Sequence, residues 1–282
     1  MIQRERERMA ASLPIDFIAA WEASLRQRPN PRLDPAEDRA FWQQHAAQYD
    51  ARAGRDATAT QSLALIERLL RPDDTLLDVG AGTGRFAIPL ARQVRSVTAL
   101  DQSAAMLDVL AQKAAQARVT NICRLEAEWP DAPVEPHDVV LAAWSLYRQI
   151  DLGAALARLI AATRRTLVLL SGVGNHPPHR ALLERHCGAW AESEHPTHLY
   201  LAGALWQMGA LADVRIIAER HSVGGATAQD IAQQLALPSA SPEAIAALAE
   251  ALQPLLEAHA NGWQYHYQQH AGVVIWHVGN IR

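Results

Sequence analysis

The sequence predicts an α/β protein: a doubly wound, mostly parallel sheet of seven strands, extended by a helical cap. Three observations carry this. An apolar run at Thr75–Val79 breaks into a glycine turn and then into helical periodicity. Short apolar runs then alternate with amphipathic stretches of helical length as far as residue 172. Beyond residue 175 the pattern changes, and long helical stretches interrupt the remaining strands.

Composition bounds the function. A chain of 282 residues, 49% hydrophobic and 20% charged, can bury a large core and suits one α/β domain with additions. Three segments are expected: residues 1–55 as N-terminal helices forming a lid, 56–175 as the core, and 176–282 as the last strands with cap insertions. The net charge of −4 offers no basic footprint for nucleic acid. Cys123 and Cys187 are too few and too far apart for a disulfide framework, so a reducing cytoplasm is the expected compartment. No apolar run reaches the length of a membrane span. The charged stretch Met1–Arg8 lacks the apolar core of a signal peptide.

Taken in order, residues 14–28 have helical spacing at Ile15, Ile18, Ala19, Trp21 and Leu25, ended by Pro29 and Pro31. A second helix starts at Asp34-Pro35, with Asp34 as N-cap and Pro35 at the first helical position. It carries Phe41, Trp42, Ala46 and Tyr49. A helix over 60–71 leads into the strand at 75–79. Gly80, Gly82 and Gly84 follow, then a helical pattern with Phe86, Ile88, Leu90 and Ala91. Glycines permit positive φ and let a ligand lie against bare backbone. The next helix is expected to aim free N–H groups and its positive dipole end at that ligand. A dinucleotide site would want its third glycine at position 85, which is Arg85. This disfavours a nicotinamide-dependent oxidoreductase.

The second strand, Ser96–Leu100, ends at Asp101, 21 positions beyond Gly80. An acidic side chain there can accept hydrogen bonds from both ribose hydroxyls of a nucleotide-type ligand. Ser103 is the better-placed cap for the helix over 104–117. Strands at 121–126 and His137–Ala143 come next, and the latter empties into Trp144-Ser145-Leu146-Tyr147-Arg148. A helix over 151–162 and a fifth strand at 166–170 complete the regular part.

The remainder reads as helices over 178–191 and 197–209, a strand at 214–218, helices over 227–236 and 242–260, and a last strand at 272–278. About fifty residues separate these two strands, too many for a hairpin loop. They read as a cap over the substrate. His176, His179, His186, His195 and His198 gather near Cys187, but their spacings match no standard metal site, and no metal is expected. One of these histidines, His176 among them, or Tyr147 is the candidate general base, and nothing in the sequence selects among them. Trp144, Trp190, Tyr200, Trp206, Trp263, Tyr265 and Tyr267 either wall a substrate pocket or pack the core.

The stretch Asp78-Val79-Gly80-Ala81-Gly82-Thr83-Gly84 resembles the first motif of the S-adenosylmethionine-dependent methyltransferases with the Rossmann-like fold, of the small-molecule type. The resemblance runs from about residue 41 to residue 172. Trp42 to Asp50 is similar to the family's Trp-Asp-x-x-Ala-x-x-Tyr-Asp, with Gln43 in place of the first Asp. It implies that this helix lies over the cofactor and that Tyr49 approaches the methionine end. Asp101-Gln102-Ser103 with Met106-Leu107 resembles Asp-x-Ser-x-x-Met-Leu, which implies Asp101 at the ribose and Met106 on the adenine. By resemblance Glu128, or Glu126 in the other register, corresponds to the adenine-reading acid, and Trp129 to its neighbour. Together the resemblance implies Tyr49, Asp78, Gly80, Ala81, Gly82, Gly84, Asp101, Gln102, Met106, Glu128, Trp129, Ala143 and Trp144 as cofactor-binding residues. Tyr49, Tyr147 and His176 stand as catalytic candidates. The Asn-Pro-Pro-Tyr of base and glutamine methylation is missing at 144–147. The last strand is expected to run antiparallel. The implied reaction is in-line transfer of a methyl group from S-adenosyl-L-methionine to a small molecule, with no nucleic-acid or membrane partner. A non-catalytic module that keeps the cofactor fold is the remaining rival.

Overall fold

A computed structural model describes residues 15–27, 34–53, 60–174, 176–188, 196–236 and 240–279, the side chains of 35, 47–53 and 60 excepted. The expected N-terminal stretch, His195 and Trp190 lie outside the described residues.

Asp16 caps α1 (Phe17–Arg26), its carboxylate accepting the Ile18 and Ala19 amides at 3.1 and 3.0 Å. α2 (Pro35–Ala53) starts where Asp34 accepts the Ala36 amide at 2.9 Å. α3 (Thr60–Glu67) leads to β1 (Thr75–Val79). The glycine turn feeds only a single-turn helix, α4 (Ala87–Leu90), not the longer one the periodicity suggests. Then come β2 (Ser96–Asp101), α5 (Ala104–Gln116), β3 (Ile122–Glu126), β4 (His137–Ala143), α6 (Leu152–Ala161) and β5 (Thr163–Gly172). The chain continues through α7 (Arg180–Cys187), α8 (Thr197–Gln207), β6 (Asp213–Gly225), α9 (Ala228–Leu235), α10 (Pro242–Leu252), β7 (Leu256–His259) and β8 (Gly262–His277).

The strand order is β3-β2-β1-β4-β5-β8-β6, with β7 paired to β8. β1 to β5 pair in parallel, and β8 runs antiparallel between β5 and β6. The sheet has eight strands rather than seven; β7 is the addition, formed where Pro254 stops the helix expected to reach residue 260. Central strands are buried on both faces, as their unbroken apolar runs require. Leu77, Val140 and Leu167 face α1, α6 and α8; Leu76, Leu141 and Val168 face α3, α4 and α5.

The two N-terminal helices differ in placement. Trp21 of α1 is fully buried in the core layer, and its indole donates to the Gln149 carbonyl at 2.6 Å. α1 is therefore a wall of the sheet, while α2 lies beside α5 at the carboxyl edge. β6 and β8 are far longer than expected. β8 leaves β5 at Ala271 opposite Gly172, and the β6–β8 pair runs on as a ribbon past the carboxyl ends of the parallel strands. Val223 and Tyr265 of this ribbon pack with Leu183 of α7, Ile231 of α9 and Leu248 of α10 in a separate core. From here on, cap denotes this separate core alone.

Candidate active site

In an open α/β sheet, ligands sit outside the carboxyl ends of the strands, where the order reverses. Here the ends of β1, β2 and β4 surround one cavity of about 380 Å³. Its walls are the glycine turn, the acidic end of β2, the segment 144–151 after β4, and Asp38 and Trp42 of α2.

The glycine turn is folded inward. Gly80, Gly82 and Gly84 all have positive φ. The amides of Gly80 and Ala81 both donate to the Leu100 carbonyl, at 2.8 and 2.9 Å, and that of Gly84 to Ala81. The Ala87 amide at the start of α4 goes to the Asp78 carboxylate. The Ala87 amide at the head of that helix and three amides of the turn are thus spent on acceptors of the protein itself. What the turn offers is bare surface: nothing stands within 4 Å of a Cβ built at Gly82. A Cβ on Gly80 would fall 2.3 Å from the Ser145 Cβ, so this glycine lets the post-β4 segment close in. Gly84 does not line the cavity; a Cβ there would press on Ile88 and Leu110, and its role is helix packing.

Two carboxylates share the floor. Asp78 is almost wholly buried; burial first, and the neighbouring Asp101 second, push its pKa up to about 7. Asp101 accepts the Gly82 amide through Oδ2 and the Ser103 amide through Oδ1, each at 2.9 Å. Burial raises its pKa, those two amides oppose the rise, and Asp38 adds to it. Ser103 caps α5, as expected.

Asp38 went unnoticed in the sequence. Its Oδ2 accepts the Gln102 side-chain amide at 3.0 Å and the Trp42 indole at 3.2 Å, and its Oδ1 faces Arg148 Nε at 3.5 Å. One residue on, Arg39 pairs with Glu128 at 2.7 Å. α2 thus reaches Gln102 and Glu128, two of the side chains that the resemblance counts as cofactor-binding. The post-β4 segment supplies Trp144, which holds an uncommon left-handed backbone (φ 57°) with its amide on the Leu170 carbonyl. Its indole nitrogen and the Ser145 hydroxyl are buried without a hydrogen-bond partner among the described residues.

Asp78, Gly80, Ala81, Gly82, Asp101, Gln102, Met106, Glu128, Trp129, Ala143, Trp144 and Tyr147 all line the one cavity. Arg148 lies over the Tyr147 ring, 5.2 Å from its centroid. Tyr49 falls on α2, but its side chain lies outside the described residues. His176 lies elsewhere, bonded to Arg180. Its neighbours disperse: His179 meets Tyr265 at 3.3 Å inside the cap, and His198 bonds the Gly172 carbonyl. Of the aromatics read as either pocket wall or core, most do not line the cavity. Tyr200 packs edge-on to Trp21, Trp206 is 47% exposed, and Trp263, Tyr265 and Tyr267 belong to the cap's own core.

Residues 76–166, from β1 into β5, match the methyltransferase domain family. The chain belongs to the Rossmann-like S-adenosylmethionine-dependent methyltransferases. The matched span of this methyltransferase domain holds the glycine turn, the end of β2 and the post-β4 segment, and the cap lies beyond it. The chain is 30% identical over 195 residues to the ubiquinone biosynthesis O-methyltransferase of Paramagnetospirillum magneticum, covering 68% of this chain and 66% of that one. It is 34% identical over 144 residues to the malonyl-[acyl-carrier protein] O-methyltransferase of Serratia marcescens, covering 49% and 55%. The match thus spans between about half and two thirds of these relatives' own lengths. In structure, the YcgJ protein from Bacillus subtilis aligns with a TM-score of 0.52 at 13% identity, over 77% of this chain and 98% of that one, which shows a shared fold. Among the described residues, no helix is long and apolar enough to cross a membrane.

Proposed function

We propose that the chain transfers a methyl group from S-adenosyl-L-methionine to a small-molecule acceptor. The observation that carries this is the convergence of the glycine turn, the Asp101 carboxylate and the Trp144–Arg148 segment on one cavity. The residues fit the cofactor. Asp101 spends one lone pair of each oxygen on backbone amides and keeps the others for two ribose hydroxyls. Gly82 leaves room for a ligand against the backbone, and Met106, Gln102 and Glu128 flank the nucleoside end. The unpartnered Trp144 indole and Ser145 hydroxyl are costly to bury unless a ligand satisfies them.

When bound, the cofactor supplies the methyl group on a good sulfonium leaving group. The chain's own task is then to hold the acceptor close and in line, and to exclude water. Tyr147, which lines the cavity in the post-β4 segment, is the proposed group to orient an acceptor hydroxyl or take its proton. The cavity is within the range of about 300–1,000 Å³ usual for small-molecule sites. The net charge of −4 offers nothing to track a phosphate backbone, which favours a small acceptor over RNA.

Titration calorimetry with S-adenosylmethionine, S-adenosylhomocysteine and NAD tests the cofactor. Micromolar binding of the first two and none of NAD is expected. Binding of NAD alone would remove the proposal. A screen of small hydroxyl, carboxyl and amine acceptors beside an RNA oligonucleotide, read by release of S-adenosylhomocysteine, tests the acceptor.

A further inference from the structure

Asp38 links three elements that are far apart in sequence. It sits on α2, nearly buried at 9% exposure, in the wall of the cavity. Gln102, bonded to it at 3.0 Å, begins the turn after β2. Arg148, at 3.5 Å, belongs to the segment after β4. In the sheet β2 and β4 flank β1 on either side. The Asp38 carboxylate therefore bridges the two shoulders of the glycine turn from above.

The bridge is electrostatically uneven. Asp38 adds negative charge to a cavity that already holds Asp78 and Asp101, and it contributes to the rise in the Asp101 pKa. Such a placement costs stability unless the charge is matched. Arg148 supplies the match, and the Gln102 amide and Trp42 indole satisfy the other oxygen. A helix face serving only to pack would carry an apolar residue here. Gln102, in turn, has a flexible side chain at the rim of the cavity; a buried acceptor fixes it in one orientation. Arg148 faces Asp38 Oδ1 by charge alone, at 3.5 Å, and its guanidinium lies over the Tyr147 ring.

We propose that Asp38 is a positioning residue of the cofactor site, which fixes Gln102 and Arg148 on the two shoulders so that the site is complete only with α2 docked. This rests on the cofactor assignment above. Asp38 touches neither reacting atom; it acts through Gln102 and Arg148. Loss of its carboxylate frees both side chains and unfastens α2, so the cofactor leaves faster.

The test uses the full chain and S-adenosylhomocysteine as the probe. Affinity is measured by calorimetry, and dissociation by stopped-flow fluorescence, since Trp42, Trp129 and Trp144 line the cavity. Asp38→Ala should weaken binding at least tenfold, mostly through faster dissociation, with the melting temperature within a few degrees of wild type. Asp38→Asn keeps an oxygen for Gln102 and loses the charge facing Arg148; it should fall between the two, and it stands in should the alanine variant fail to fold. A purely structural residue would weaken binding additively with Gln102→Ala. A positioning residue would not: the double variant Asp38→Ala, Gln102→Ala should bind no more weakly than the worse single variant. Wild-type affinity and dissociation in folded Asp38→Asn and Asp38→Ala, or additive effects in the cycle, would overturn the proposal. Absence of binding by the wild-type chain would instead overturn the cofactor assignment on which it rests.

Discussion

Asp101 Oδ2 accepts the Gly82 amide at 2.9 Å, tying the tip of the glycine turn to the end of the neighbouring strand. The same carboxylate holds the Ser103 amide at the head of α5. A residue assigned to the ribose on resemblance is thus also a brace for the turn beside it, and removing it should show in two measurements.

Asp101→Ala should lower S-adenosylhomocysteine affinity at least tenfold. It should also lower the melting temperature, because two buried amides lose a charged acceptor, a loss of about 1.5–3 kcal/mol each at most. Asp101→Asn retains one acceptor oxygen and should lie between in both. Unchanged affinity in a folded alanine variant would leave Asp101 as a brace alone.

Asp78 gives a pH signature. Its pKa is raised by burial and by Asp101, from 3.8 to about 7. Between those values the native state holds a proton that the unfolded chain has lost. Stability therefore falls as pH rises through that window and levels off above it. Asp78→Asn removes the ionisable group. Relative to wild type it should gain on the order of 2–3 kcal/mol between pH 5 and pH 8, at 1.36 kcal/mol per pH unit. Urea melts at the two pH values check this; parallel profiles for the two proteins would refute it.

Two glycines of one turn should differ. Both have positive φ, which costs an alanine roughly 1–2 kcal/mol. At Gly82 that is the whole cost in the free protein, since a Cβ meets nothing within 4 Å. At Gly80 the Cβ also strikes Ser145, so Gly80→Ala should be the more destabilising in thermal melts. Ser145→Gly should recover part of that difference, and Gly82→Ala should harm ligand binding more than stability.

The cap has its own core, and its weakening should be separable. Leu248 is fully buried among α7, α9 and α10, so Leu248→Ala should cost about 2–5 kcal/mol of local stability. Amide exchange should accelerate in α9 and α10 while β1, β2 and β4 keep wild-type protection. Acceleration across the whole sheet would mean that cap and core open together.

Much of the fold was legible because its signals are local. The apolar run ending at Val79 and the glycines after it specify a strand and a turn, and Asp101 marks the end of the next strand. Less legible was whatever depends on polar residues being buried. On β6, Glu219, His221 and Val223 alternate into the interior, but two of the three are polar, so the apolar pattern of the strand stops at residue 218. Glu219 is buried because it accepts the Gln61 and Ser62 amides at the start of α3, and His221 because it stacks on Tyr267. Trp263, Tyr265 and Tyr267 carry a clear period of two on β8, which their grouping as candidate pocket aromatics obscured. Asp38 was invisible for another reason. On α2 it looks like an ordinary acid of a first helical turn, and its partners Gln102 and Arg148 lie 64 and 110 positions away.

β8 has a mechanical consequence. It is one strand from Gly262 to His277, on the order of 50 Å long at a rise of about 3.3 Å per residue. Its far half is clamped between β5 and the edge strand β6, and its near half carries the cap. It therefore behaves as a cantilever. Any swing of the cap must bend a hydrogen-bonded ribbon or break its ladder, and nothing along the β6–β8 pair provides a loose joint. No described residue of the cap lines the cavity, so a stiff ribbon leaves the passage of ligands to the other walls, among them α2, which reaches Gln102 and Glu128 through side-chain bonds.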